Sequence, residues 1–125
     1  MSAERKGTVL LEFALTIPIF LLMLLGIMEF ASVFFVRHAM LNAASEACRS
    51  YAINESTASE AEELAINRLA GVNATFTATA SPQADAALDR WVEVSVPVSE
   101  ASLGDPLNVL SSSDMTVRVT MRREE

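Results

Sequence analysis

The chain has 125 residues, of which 51% are hydrophobic, and its formal net charge is −7. This length allows one small domain with a membrane anchor. The acidic balance comes without a basic patch interleaved with aromatic residues, so no nucleic acid is expected among its partners.

A short charged leader precedes a long apolar run. Arg5 and Lys6 come directly before Gly7, and the run that follows contains one early acid, Glu12. If the chain is cut after Gly7, Thr8 becomes the first residue and Glu12 the fifth. A carboxylate in an apolar helix is costly unless a cation meets it. We therefore expect the new α-amine of Thr8 on a neighbouring helix to meet Glu12, which is possible only at one axial offset.

The apolar run predicts a transmembrane helix over about residues 13–36. The only charged residue in that interval is Glu29, and the length fits a bilayer core. A buried core helix would show a polar stripe, which is absent between Thr16 and Met28. A cleaved signal peptide fits less well, because the run is long, contains an acid and is not closely followed by an A-x-A step. The short leader favours a cytoplasmic N-terminus, and the positive-inside rule supports it weakly.

Two further features of this helix are singled out. Pro18 removes one backbone hydrogen bond, so it predicts a kink or a loosened turn near Ala14. Glu12 and Glu29 would be about 26 Å apart along a helix. That distance is close to the thickness of the hydrocarbon layer, so the two acids are expected near opposite interfaces. Glu29 is interpreted as an interfacial acid.

Helical periodicity continues beyond the membrane span, and no Gly or Pro interrupts it before Ile53. Small and apolar residues recur there at spacings of three and four, which indicates one apolar face: Met40, Ala43, Ala44, Ala47, Cys48 and Tyr51. We predict one helix from about Thr8 to Ala52, lipid-facing in its first half and amphipathic in its second. The single cysteine cannot form an internal disulfide and is predicted to be a buried packing residue.

The remainder of the chain predicts one short helix and three strands. Thr57 and Glu60 form a capping-box pattern that begins a helix ending near Ala70, with Gly71 as its stop. Alternating apolar residues predict strands over about 74–80, 92–98 and 115–122, joined by connections over 81–89 and 99–114. Pro97 indicates that the second strand frays there or lies at an edge.

These elements predict an α+β protein with a pilin-like architecture. A leader over residues 1–7 precedes a long transmembrane and amphipathic helical stalk over 8–53. A small head over 54–125 would contain the short helix and a three-stranded antiparallel sheet. The apolar face of such a sheet must be covered, and the two helices are the available cover.

No residue pattern indicates catalysis. His38 is the only histidine, no cysteine or second histidine stands at metal-ligand spacing, and no nucleophile motif surrounds any serine. We therefore expect no enzymatic activity, no cofactor and no metal. The leading interpretation is an assembly subunit. The alternative is a permanently anchored, single-span envelope binding protein whose head recognises a ligand, while a membrane-bound enzyme has no supporting residues.

The N-terminal segment resembles a known family. The run over residues 7–37 is similar to the TadE-like proteins, the minor pilins or pseudopilins of tight-adherence (Flp) pili, whose leader is type IV prepilin-like. The similar pieces are Glu12-Phe13-Ala14, Pro18, the Leu-rich run, Gly26 and Glu29-Phe30. Similarity also extends through the Ala-rich stretch that follows and, weakly, to the C-terminal tail.

The resemblance implies processing and partners. It makes Gly7 and Thr8 the junction cut by a prepilin peptidase of the inner membrane, and Glu12 the acid of the mature N-terminus. It implies contacts with the major Flp pilin, other minor pilins, the inner-membrane assembly platform and membrane lipid. It also implies a single-pass protein of the bacterial inner (cytoplasmic) membrane, N-terminus in and C-terminus out, which either stays there or enters the extracellular pilus.

Overall fold

A computed structural model describes residues 2–82, 89–102 and 113–123, with side chains from Gly7 onward. Most of the two predicted connections, over 81–89 and 99–114, therefore lies outside the described residues. The side chains of the charged leader lie outside them as well.

The first element, α1, is a helix over Ser2–Ala52 that spans 51 residues. Its length is about 76 Å. It begins at Ser2 rather than at the predicted Thr8, because alanine, glutamate, arginine and lysine in the leader all favour helix. The helix continues through Pro18, and the predicted kink or loosening near Ala14 stays a prediction.

The second helix, α2, covers Ala58–Arg68 and begins with the predicted capping box. The Thr57 hydroxyl accepts from the Glu60 amide, and the Thr57 amide donates to the Glu60 carboxylate at 2.7 Å. These bonds lower the pKa of Glu60, because the Thr57 amide and hydroxyl both stabilise its charged form. The helix ends two residues before the predicted Ala70, in a tight final turn, and Gly71 does not adopt a left-handed conformation.

The three predicted strands form one antiparallel sheet in the order β1-β2-β3, which confirms the α+β class. They are β1 (Thr77–Ala80), β2 (Asp89–Pro97) and β3 (Asp114–Arg122). The strand β1 begins three residues later than predicted, because the chain between α2 and β1 is still turning, with Ala74 N–H bonded to Val72 O.

The strand β2 is central in the sheet, so the predicted alternative of an edge strand is wrong. It ends at Pro97, which is still paired with Asp114 of β3 but lies beyond the residues that pair with β1. Val98, predicted as strand, instead begins a short helix, α3, over Val98–Ala101. Pro97 has φ −60° and ψ 130° and stands at the N-cap of this helix. The fixed φ and missing N–H of proline favour such a change of direction.

The outer half of α1 packs on the inner face of the sheet, beside α2, as predicted. Fully buried alanines of α1 lie in the same core as the valines of β2: Ala44, Ala47, Val92 and Val94. The small side chains allow the helix to approach the sheet closely. Cys48 is buried as predicted, and burial raises the pKa of its thiol.

Candidate functional site

The inner part of α1 is an apolar rod that the other described parts of the chain leave largely uncovered. Its large hydrophobic side chains from Val9 to Phe35 are between 42% and 72% exposed, apart from Val33, which is half-buried. The most apolar stretch of α1 has a mean hydropathy of 2.5, and only 6% of that stretch is buried. A core helix of a water-soluble protein is buried instead, so this helix fits a single-pass membrane protein. We call residues 9–35 the exposed stalk.

The predicted processing junction lies at the base of this stalk. Gly7 and Thr8 are exposed, and a Cβ added at Gly7 would meet no atom within 4 Å. Both residues lie inside α1. A peptidase can therefore approach the junction from the side, but the helix must open locally before the backbone can enter an active site.

Glu12 is exposed one turn beyond the junction. The Thr16 hydroxyl donates to the backbone carbonyl of Glu12 at 2.8 Å. Among the described residues, no ion pair joins the Glu12 carboxylate to a cation. The described residues supply no charge partner there, so the position is open to a group from another molecule.

Pro18 and Gly26 are also exposed on the stalk. A Cβ added at Gly26 would meet nothing within 4 Å, so no contact within the described chain requires glycine there. A glycine on the surface of a membrane helix permits close approach of a second helix.

Glu29 lies near the upper end of the exposed stalk and differs from Glu12 in its surroundings. It is half-buried, and its Oε1 atom is inaccessible and has no hydrogen-bond partner among the described residues. It borders a groove of about 480 Å³ between α1 and the head. The groove is lined by Glu29, Phe30, Val33, Phe34 and Arg37 of α1 and by Val98, Asp114 and Met115 of the head. The structure keeps Glu12 and Glu29 apart on one helix.

The head is attached to α1 beside this groove. The Ser32 hydroxyl donates to the carbonyl of Ala101 at 2.9 Å. Further along, Arg68 of α2 pairs with Glu46 of α1, and both side chains are largely exposed. An exposed pair of this kind adds little stability. The buried face of α1 therefore supplies most of the attachment.

A buried arginine in the head was not predicted from the sequence. Arg90 is 3% exposed, and its Nη1 donates to the Tyr51 hydroxyl at 2.7 Å. That hydroxyl donates in turn to the carbonyl of Ser81 at 2.7 Å, and the Arg90 guanidinium lies over the Tyr51 ring at 4.6 Å. In β2 every second residue faces the core, and Arg90 lies on the same inward face as the buried valines. Extending this alternation back along the sequence to Arg90 could have predicted its burial.

No group of three or more histidine, cysteine, aspartate or glutamate side chains is placed to hold a metal in the part of the chain that the structure describes. The features at the site are apolar surface, isolated carboxylates and a groove. Such an arrangement can support association with lipid or with other helices.

A comparison with protein-family models matches residues 7–49 to the TadE-like proteins. Searches of curated proteins and of solved structures find no significant match. The matched segment begins at Gly7 and contains Glu12, Pro18, Gly26 and Glu29, together with most of the buried face of α1. The head lies beyond it. Over residues 7–49, the chain is therefore similar to the TadE-like proteins.

Proposed function

We propose that the protein is a minor pilin or pseudopilin that takes part in assembly of a tight-adherence, type IV-like pilus. The exposed stalk carries this proposal. It presents a nearly continuous surface of large apolar side chains, and its segment is TadE-like. In the bacterial inner membrane, with the N-terminus inside, this surface contacts lipid. In a filament the same surface packs against the helices of other subunits.

Leader removal is the first step of this function. A prepilin peptidase cuts between Gly7 and Thr8 after the first turns of α1 have opened. Gly7 assists the opening, because glycine destabilises a helix by about 1 kcal/mol relative to alanine. It also leaves the approach to the junction clear. The cut releases the charged leader and creates an α-amine on Thr8.

Registration of neighbouring subunits is the second step. The new α-amine of Thr8 on one subunit pairs with Glu12 of its neighbour, which carries no ion-pair partner within the described chain. In an apolar surrounding, each of these charges raises the free energy when it is unpaired. The two groups meet at only one axial offset of the helices, so their pairing sets that offset. Gly26 allows close approach of the packed helices.

The partners in this function are the prepilin peptidase, the major Flp pilin, other minor pilins and the inner-membrane assembly platform. The protein acts without catalysing a reaction. It primes or caps the filament, or lies within it at low copy number. The head is the part presented outside the membrane, held on the stalk by the buried face of α1.

The N-terminal sequence of the mature protein tests the proposal. In cells that contain the peptidase, we expect the protein to begin at Thr8, and we expect Gly7→Ala to retain the leader. Mass spectrometry of the purified protein measures both. An intact leader on the native protein in those cells would contradict the proposal and favour the permanently anchored binding protein instead.

A further inference from the structure

The groove beside Glu29 lies at a particular depth of a membrane-inserted chain. Glu29 is about 33 Å from Gly7 along the axis of α1. A hydrocarbon core of ~30 Å that begins near the junction would therefore end near Glu29. Ser32 already contacts the head through Ala101. The groove thus opens where the acyl chains give way to lipid headgroups.

The groove is bordered by charged residues of both signs, which a cation and an anion together would stabilise. The Oε1 atom of Glu29 is buried without a hydrogen-bond partner among the described residues. Asp114 adds a second carboxylate, and Arg37 lies two turns beyond Glu29 on the same side of α1. No ion pair joins these three residues to one another or to other described residues. An unpaired polar atom away from water is costly, so a rotation of the Glu29 side chain that brings its carboxylate to a donor in the groove would be stabilising.

The walls of the groove are apolar and extend along one helix face. Phe30, Val33 and Phe34 follow the spacing of three and four residues, and Met115 and Val98 face them from the head. The volume of about 480 Å³ is within the usual range of small-molecule sites. Apolar walls with a few charged groups suit an amphiphile better than a soluble ion.

We propose that this groove binds the headgroup and upper chain of a zwitterionic phospholipid that carries a primary ammonium, of the phosphatidylethanolamine class. The ammonium donates to Glu29 and lies near Asp114, and the lipid phosphate accepts from Arg37. An anionic lipid without an ammonium brings no cation to balance the charge of the two carboxylates. A choline headgroup carries the charge but has no N–H to donate.

A helix from a second subunit is the competing occupant. An apolar helix would cover the phenylalanines but would leave the Glu29 carboxylate without a cation. The lipid supplies both charges and is already at this depth of the membrane. The proposal depends on membrane insertion of α1 but not on cleavage or on pilus assembly.

Native mass spectrometry of the full-length protein from mixed bilayer nanodiscs tests the proposal. The bilayers contain equal amounts of phosphatidylethanolamine, phosphatidylcholine and phosphatidylglycerol. We expect the ethanolamine lipid to be retained about tenfold over the choline lipid, the value of one hydrogen bond to a charged group. Equal retention of the two lipids by the unaltered protein would overturn the proposal.

Two variants assign the contacts, and a third is a control. Glu29→Gln should bring the ratio of ethanolamine to choline lipid close to one. Arg37→Gln should lower retention of both lipids and leave their ratio unchanged, because both carry a phosphate. Glu63→Gln, an exposed carboxylate on α2, is the matched control and should behave as the unaltered protein. An unchanged ratio in Glu29→Gln would contradict the assignment.

A photocrosslinking residue at Val33 separates lipid from protein as the occupant. In dilute proteoliposomes we expect lipid adducts to dominate over dimers. Dominant protein–protein adducts from this position would overturn the proposal. The uncut chain can be used throughout, so a failure here is distinguishable from a failure of leader cleavage.

Discussion

The two halves of α1 carry apolar side chains of different sizes and meet different surroundings. The inner half presents leucine, isoleucine and phenylalanine, which are exposed, whereas the outer half buries alanines such as Ala44 and Ala47. In the outer half, small residues allow the sheet to approach the helix backbone, and the larger Met40 and Tyr51 are buried beside them. In the inner half, large exposed side chains cover most of the helix surface. The chain thus covers one half of its own helix and leaves the other half for lipid or other subunits.

The largest expected effect lies in the inner half, at Glu12. In the assembled state, Glu12→Gln leaves the α-amine of a neighbouring subunit without its charge partner. Loss of one member of a buried ion pair costs about 3 kcal/mol, so subunit association should weaken by about a hundredfold. Membrane insertion and leader cleavage should persist. Crosslinking between subunits and counts of pili per cell measure the effect.

Unchanged crosslinking and piliation in Glu12→Gln would contradict the registration of subunits by Glu12. The same substitution at exposed Glu55 in the head is the control, and it should leave assembly intact.

A second pair of substitutions compares the two halves of α1 directly. Ala47 is fully buried, so Ala47→Leu forces extra atoms into a packed core and should destabilise the head by about 3 kcal/mol. Ala31 is exposed on the stalk, so Ala31→Leu should leave the stability of the head unchanged. Denaturant unfolding in detergent, followed by near-ultraviolet circular dichroism, measures the difference. Equal stability of the two variants would show that the sheet does not require small residues on α1.

The buried end of α1 gives a smaller effect. Tyr51→Phe removes the hydroxyl that accepts from Arg90 and donates to Ser81. The guanidinium then loses a partner in a buried place, and we expect a loss of about 2 kcal/mol in the free energy of unfolding. In a double-mutant cycle with Arg90→Met, the combined change should cost less than the sum of the two single changes. Additive costs would contradict the coupling of the two side chains.

The smallest effect concerns α2, which helps to cover the outer half of α1. The folded-state pKa of Glu60 is lowered by its bonds to Thr57. Its stabilising contribution is therefore fully present above the unfolded-state pKa, about 4.3, and is lost as the pH falls through the lower folded-state value. Hydrogen exchange in the first turn of α2 should accelerate as the pH falls from the unfolded-state pKa through the folded-state pKa, after correction for the intrinsic exchange rate. Glu60→Gln should remove this pH dependence, and its persistence in that variant would contradict the assignment to Glu60.

Local patterns predicted much of this fold, because each depends on residues that are close in sequence. The spacing of Met40, Ala44 and Cys48 predicted the buried face of α1, and Thr57 with Glu60 predicted the start of α2. The alternation in each strand predicted its inward face. The exposed stalk and its TadE-like character also follow from a continuous segment.

Other features depend on which distant residues meet. From the sequence alone, Pro97 was compatible with fraying of the second strand or with an edge strand. The pairing of β2 with both neighbours showed that the strand is central and that Pro97 is its last residue. An arginine is expected at the surface, and Arg90 is buried because it bonds to Tyr51, which is 39 positions away in the sequence.

Residues close together in the chain were enough to predict an apolar helix with sparse acids, its amphipathic continuation and the elements of a small α+β head. Hydrophobic periodicity and capping are local properties, so they can be identified from the sequence. The meeting of α3 and β3 with α1 beside Glu29, and the groove between them, are evident only in the folded chain. A groove requires two surfaces to approach at a defined distance, and that distance follows from packing of the whole core.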